Sequence, residues 1–235
     1  MPFLKREAPN CQWCPYKKNC LYDLLGNAEA KKAWREMRLA NRFKSGEAIF
    51  HEGTRPQGVY VVCSGRVKIY KSSRTGQQLI TRIESPGDLL GHIALLADEG
   101  PYTGSAEALE TSVISMADQK TFMDFLANFP QAARALMLEM ARDVRRGENK
   151  ARDIAFKPAR GRLADILIKM MKPAKPHPLV AGIKRRDLAE MAGLTIETAV
   201  RLLKDFEERS ILRKKEKDLV ILDQEKLRAM AASAS

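Results

Sequence analysis

Between residues 21 and 40, two apolar sets recur at helical spacing: Leu21, Leu24, Leu25 and Ala28, then Ala30, Trp34 and Met37. They predict two short amphipathic helices. From Arg42 the period shortens. Stretches of alternating character cover 48–50, 59–63, 66–70, 78–83 and 111–116, separated by turn signals at Glu52-Gly53, Ser64-Gly65, Thr75-Gly76, Pro86-Gly87-Asp88 and Glu99-Gly100-Pro101. Many short strands punctuated by glycine predict an antiparallel barrel or sandwich. The run Gly87-Asp88-Leu89-Leu90-Gly91-His92 breaks the alternation and predicts a tight turn into a short helix.

Helical spacing returns from Lys120 to about Phe156. Within it Ala133, Leu136, Met140, Val144, Gly147, Ala151 and Ile154 step by three or four residues. The stripe is narrow and closely flanked by Arg142, Asp143, Arg145 and Arg146, which suits a homodimer seam better than a globular core face. A single helix packed on the barrel is the alternative. Gly147 costs such a helix about 1 kcal/mol relative to alanine. Pro158 marks a boundary. Helical patterns follow over 159–171, 185–192 and 196–209, with a proline-rich break at 172–178 and a pair of short strands at 211–214 and 219–222. The expected division is a cysteine-bearing segment (1–34), a strand-rich domain (35–119), a dimerisation helix (120–157) and a C-terminal domain (158–235).

Charge sharpens this division. The 235-residue chain carries a formal net charge of +12. Between Arg142 and Asp218 stand 21 Lys/Arg against 12 Asp/Glu, so about +9 of the excess lies there. A basic excess at one end points to a nucleic-acid-binding module. No apolar run approaches the ~20 residues of a membrane helix. The start, Met1-Pro2-Phe3-Leu4-Lys5-Arg6, has no apolar export stretch, so the cytoplasm is the expected location. No paired acid/base or nucleophile constellation marks an enzyme.

Residues 185–209 read as a helix-turn-helix. Leu188, Ala189, Met191 and Ala192 give the first helix an apolar face. Gly193 suits the left-handed turn position, and Thr195 suits the N-cap of the second helix. There Ala199, Leu202, Leu203 and Phe206 point inward. Ile196, Glu197, Val200, Arg201 and Lys204 lie outward, and with Thr195 and Thr198 they form the candidate face for double-stranded DNA. Arginine binds guanine bidentately and glutamate accepts from cytosine N4, so Glu197 and Arg201 suit base edges. An ordinary i,i+4 ion pair between them is the alternative. Arg213-Lys214-Lys215 adds a basic hairpin.

The cysteines are the remaining chemistry. Cys11-x2-Cys14-x5-Cys20 packs three of the chain's four cysteines into a polar segment, and Cys63 is the fourth. Thiolates are soft ligands for zinc or an iron–sulfur cluster. Reactive or paired thiols and inert cysteines are the alternatives, and disulfides would need an oxidising compartment.

Glycine turns at Gly46, Gly53, Gly65, Gly76 and Gly87-Asp88-x2-Gly91 precede a long helix. A winged helix-turn-helix follows, reading Gly193-Leu-Thr-x-Glu-Thr-x2-Arg201-Leu-Leu. This order resembles the CRP/FNR family of bacterial transcription regulators over about 35–225. The resemblance implies an α+β fold: a cyclic-nucleotide-binding-like β-roll, a long dimerisation helix and a C-terminal winged helix-turn-helix. It also implies a homodimer on a two-fold symmetric DNA site, with Glu197 and Arg201 reading a G·C-containing half-site and RNA polymerase as a further partner. Val200 stands where FNR-like members have serine or glycine, and it could touch a thymine methyl. Cyclic-AMP-binding members carry a glutamate after the glycine matching Gly91 and an Arg-Ser pair further on. Here those places hold His92 and Thr103-Gly104, so cyclic AMP is not the expected effector.

The Cys-x2-Cys-x5-Cys spacing resembles the FNR oxygen-sensing branch, which implies a [4Fe–4S] cluster on Cys11, Cys14 and Cys20. That branch takes its fourth ligand after Glu-Thr-Ser. The corresponding stretch, Glu110-Thr-Ser-Val-Ile-Ser115, has serine at the cysteine place. Cys63 is then the expected fourth ligand, with His51, His92 or a carboxylate as substitutes. Cys63 as a buried core residue, zinc on the cysteines, a thiol redox switch, and an iron–sulfur electron-transfer protein are the competing readings.

Overall fold

The computed structural model describes residues 10–97 and 100–232. The chain forms two compact units, one of residues up to 72 with 82–145, the other of 73–81 with 146 onward.

The first unit begins with a 3-10 turn at Lys17–Asn19 and two short helices, α1 (Leu21–Leu24) and α2 (Ala28–Glu36). Asn27 caps α2, its Oδ1 accepting the Ala30 N–H at 2.6 Å, so that helix starts where its first free donors find an acceptor. Eight strands follow along the chain, β5 beginning in 73–81 of the second unit: β1 (Leu39–Phe43), β2 (Ala48–Phe50), β3 (Gly58–Ser64), β4 (Val67–Ser72), β5 (Gln78–Glu84), β6 (Leu89–Leu90), β7 (Ser105–Ala108) and β8 (Ser112–Asp118). A short helix, α3 (His92–Leu96), lies between β6 and β7. The strands make two four-stranded sheets, ordered β1-β8-β3-β6 and β2-β7-β4-β5.

Alternation along β3 separates two cores. Val59 and Val61 join Trp34, Phe122 and Leu136 on one face, while Tyr60 and Val62 join Phe50, Tyr102 and Ile114 on the other. The period of two sends neighbours to opposite faces. The second cluster fills the roll interior with aromatic rings, Phe50 and Tyr102 stacking at 4.0 Å between centroids.

The strand-rich reading of 42–116 holds. β1 and β7 escape it because Leu-Ala-Asn-Arg-Phe and Ser-Ala-Glu-Ala carry little strand propensity. Their pairing with β8, and with β2 and β4, imposes the conformation. The single helix expected over 120–156 is two: α4 (Gln119–Asn128) and α5 (Pro130–Phe156). Phe129 between them takes φ −129°, ψ 81°. Pro130 excludes its predecessor from helical backbone and begins the new helix without needing a donor.

α5 runs into the second unit, which contains α6 (Ala159–Met170), β9 (Leu179–Val180), α7 (Arg185–Ala192), α8 (Ile196–Glu208), β10 (Leu212–Lys215), β11 (Asp218–Ile221) and α9 (Gln224–Ala232). The three strands pair as β10-β11-β9. Leu163, Leu167, Leu188, Leu203 and Phe206 are buried. α9 lies beyond the last predicted strand and was not foreseen; it packs on α6, where a Cβ at Gly161 would stand 3.1 Å from the Met230 carbonyl oxygen. Among the described residues, no helix is long and apolar enough to cross a membrane.

Candidate functional site

Cys11, Cys14, Cys20 and Cys63 line one cavity of about 80 Å³, together with Tyr16, Arg38, Val62 and Gly87. That volume is several times what one water needs. The N-terminal segment reaches the roll because Gly87, at φ +107°, presents bare backbone: a Cβ there would stand 2.5 Å from the Asn19 carbonyl oxygen. Cys63 arrives from β3. The register of β3 on β8 pairs Val61 with Ser115 and Val62 with Ile114, then shifts between Val62 and Ser64. Cys63 sits at that irregularity, where a bulge re-aims a side chain. It stands beside Ser115, its Sγ donating to Ser115 Oγ at 3.3 Å. Burial pushes the Cys11 and Cys20 thiols above their ordinary range, against the pull of the Arg38 guanidinium. All four are free thiols. His51 is exposed and His92 lies away from this cavity, so neither substitute ligand joins the cysteines.

Arg38, which sequence reasoning passed over, is 1% exposed. It donates from Nε to the Trp34 carbonyl, from one terminal nitrogen to Ser115 Oγ and from the other to Cys11 Sγ, each at 2.9 Å. Its guanidinium carbon lies 4.3 Å from the Trp34 ring centroid.

A second buried polar group was also missed. His92 is fully buried, with Nε2 at 3.2 Å from Asp143 Oδ2, and Asp143 is ion-paired with Arg82. Arg82 also meets Glu84 at 3.2 Å. Burial opposes charge on Asp143, yet the His92 hydrogen bond and the Arg82 guanidinium outweigh it and hold the carboxyl below its usual range. The signal available in the sequence was Asp143 itself, one position from Val144 of the expected seam.

On α5, one residue of the expected seam lies inside the protomer. Leu136 is 3% exposed and belongs to the protomer core with Trp34 and Phe122. Its neighbour Met137 is 67% exposed. Replacing Leu136 by Met137 gives Ala133, Met137, Met140, Val144, Gly147, Ala151 and Ile154, whose steps alternate strictly between four and three. That is the spacing of a coiled-coil a/d seam. Val144 is 62% exposed in the protomer.

In the second unit, α7 ends on Gly193 at φ +62°, the left-handed cap glycine adopts freely. Thr195 then caps α8, its Oγ1 accepting the Thr198 N–H at 3.2 Å. Ala199, Leu203 and Phe206 face the core, leaving Thr195, Ile196, Glu197, Val200, Arg201 and Lys204 exposed. Thr198 is half-buried and its hydroxyl accepts from Thr195, so it serves the cap. Among the described residues Glu197 and Arg201 form no ion pair, with each other or elsewhere, whereas Lys204 meets Glu208 at 3.7 Å. β10 and β11 form the wing, with Arg213, Lys214 and Lys215 exposed.

Residues 161–230 match the Crp-like helix-turn-helix domain, and residues 40–129 match the cyclic nucleotide-binding domain. The chain is 30% identical over 171 residues to the Cyclic AMP receptor protein of Thermus thermophilus, covering 73% of this chain and 78% of that one. The chain belongs to the CRP/FNR family. Within CRP/FNR it is also similar to the Fumarate and nitrate reduction regulatory protein of Vibrio cholerae, at 27% identity over 229 residues, 95% of this chain and 91% of that one. Among solved structures it resembles FixK2 from Bradyrhizobium japonicum, with a TM-score of 0.72 and 25% identity over 84% of this chain and 99% of that one. As a CRP/FNR member the chain is a DNA-binding transcription regulator.

Proposed function

We propose that this regulator binds a two-fold symmetric DNA site as a homodimer and senses oxygen, or nitric oxide and redox state, through a [4Fe–4S] cluster held by Cys11, Cys14, Cys20 and Cys63. The observation that carries the reading is the single cavity these four thiols share although Cys63 comes from a different part of the chain. By the family resemblance Ser115 stands at the place of the FNR branch's fourth ligand, and Cys63 supplies a thiol one strand away, beside it. The donor set is of the kind the group takes: four cysteines line one pocket, with a buried cation beside them. When bound, a cluster of this kind supplies a redox centre that oxygen and nitric oxide attack.

The protein's residues convert ligand attachment into position. Four thiolates engaged together hold the segment around 11–20 against β3, and their release removes that constraint and shifts the population of the DNA-competent dimer. In this reading 1–34 is the sensor segment, 35–119 the β-roll, 120–157 the dimerisation region and 158–235 the DNA-binding domain. The protein is a regulator, not an enzyme, acting in the cytoplasm with RNA polymerase as a further partner.

Zinc is the second reading. It asks four donors to converge on one point, and the same four cysteines are the donors available to it. A four-iron cluster asks for one thiolate per iron. Cyclic AMP is named in several relatives; by the family resemblance Thr103-Gly104 stand where a cyclic-AMP-binding member has an Arg-Ser pair, and without the arginine its phosphate would lack charge-assisted bonds.

Anaerobic purification followed by an absorption spectrum and iron and acid-labile sulfide counts tests the reading. Both elements are expected in the wild type. Serine at any of Cys11, Cys14, Cys20 or Cys63 should abolish them. Zinc without sulfide in anaerobic wild type would sink the cluster, and full iron and sulfide in Cys63→Ser would move the fourth ligand elsewhere.

A further inference from the structure

We propose that Arg38 is the positioning residue of this site, supplying the buried counter-charge for the thiolates and raising the reduction potential of what they bind; the proposal rests on the cluster reading. Buried Lys68 and half-buried Arg82, also in the first unit, have carboxylates. Lys68 meets Glu107 at 3.3 Å and Arg82 meets Glu84 and Asp143. Arg38 is at least as buried, and among the described residues no carboxylate pairs it. Its acceptors are a carbonyl, a hydroxyl and a thiol. A guanidinium removed from water without an anion is expensive, and removing one partner of such a group leaves that cost uncompensated. The cavity beside it holds four groups that become anionic on metal binding.

The hydrogen bonds assign the contact. One terminal nitrogen reaches Cys11 Sγ directly, the other reaches Ser115 Oγ, and Ser115 Oγ accepts from Cys63 Sγ. Arg38 thus grips the ligand set at both ends: on the N-terminal segment, and through Ser115 on β3. The serine at the expected cysteine place becomes the bridge to the relocated thiol. Stacking on Trp34 fixes the plane of the fork. A cation donating to a cluster thiolate favours the more negative, reduced state, one of the ways protein surroundings tune such potentials.

A purely architectural arginine, tying α2 to β8, would show the same distances, so the test must separate charge from packing. In full-length protein, Arg38→Met keeps an unbranched stem and removes the charge. Three quantities are read: iron and sulfide per chain after anaerobic reconstitution, the midpoint potential of the loaded protein, and the unfolding temperature of the metal-free protein. Counter-charge predicts a lower potential in Arg38→Met, faster loss of iron in air, and a metal-free form that melts no lower than wild type. An architectural role predicts the opposite, a lower-melting metal-free form and an unchanged potential; that result overturns the proposal. Should Arg38→Met take up no iron, Arg38→Lys decides. Loading at a potential near wild type supports counter-charge, and failure to load, or a shifted potential, overturns it. Wild type that takes up neither iron nor sulfide removes the cluster reading itself, an outcome distinct from the rest.

Discussion

Glu197 and Arg201 stand one helical turn apart on the exposed face of α8 with no ion pair between them, although the next such pair on the same helix, Lys204 and Glu208, is formed. Two unpaired charges held outward are free to meet base edges, the glutamate a cytosine amino group and the arginine a guanine. Arg201→Ala should therefore weaken the specific complex by about 1–3 kcal/mol and leave binding to random DNA nearly unchanged. Titrations of both DNAs at one salt concentration check this, and equal losses on the two would contradict base readout. The neighbouring Ile196 and Val200 are also exposed, which gives the same face an apolar component suited to thymine methyls.

At the scale of elements, α5 carries two stripes one residue apart. Leu136 faces the protomer core and Met137 faces away. Leu136→Ala should lower protomer stability by about 2–5 kcal/mol. Val144→Glu should leave protomer folding intact but place like charges across the seam, so sedimentation should show monomer where the wild type is dimeric. A Val144→Glu protein that stays dimeric removes the seam.

Legibility follows the same lines. The helical period of α8, its Thr195 cap and its Gly193 turn could be read because local chemistry alone specifies them. The strands of the roll were legible where β-branched residues alternate, as in β3, and illegible in β1 and β7, where neighbours enforce the conformation. A three-or-four step admits both 136 and 137, and only the core against α2 and α4 decides between them. The N-terminal cysteine cluster was visible as spacing, whereas its meeting with Cys63 and Arg38 depends on strand register, which no local pattern encodes.

Across the first unit, stability is tied to acid chemistry at one buried point. Asp143 is held below the ordinary carboxylate range in the fold by His92 and Arg82, against its burial. A group whose folded value is depressed contributes stability above its unfolded value, near 3.8, and loses that contribution as pH falls through the folded value. Asp143→Asn should cost on the order of 3 kcal/mol near neutrality, and the gap from wild type should close as pH drops below 4. Denaturant melts across that range measure it, and a gap independent of pH would show that the charge is not what matters. The placement of Cys63 has a different consequence for the molecule as a polymer. In the proposed cluster, joining position 20 to position 63 through a common inorganic core would close a loop of about 40 residues, and a cross-link of that span removes about 4 kcal/mol of chain entropy from the unfolded ensemble. An effector that dissolved such a core would act as a pair of scissors on chain topology, cutting a tie without breaking a peptide bond.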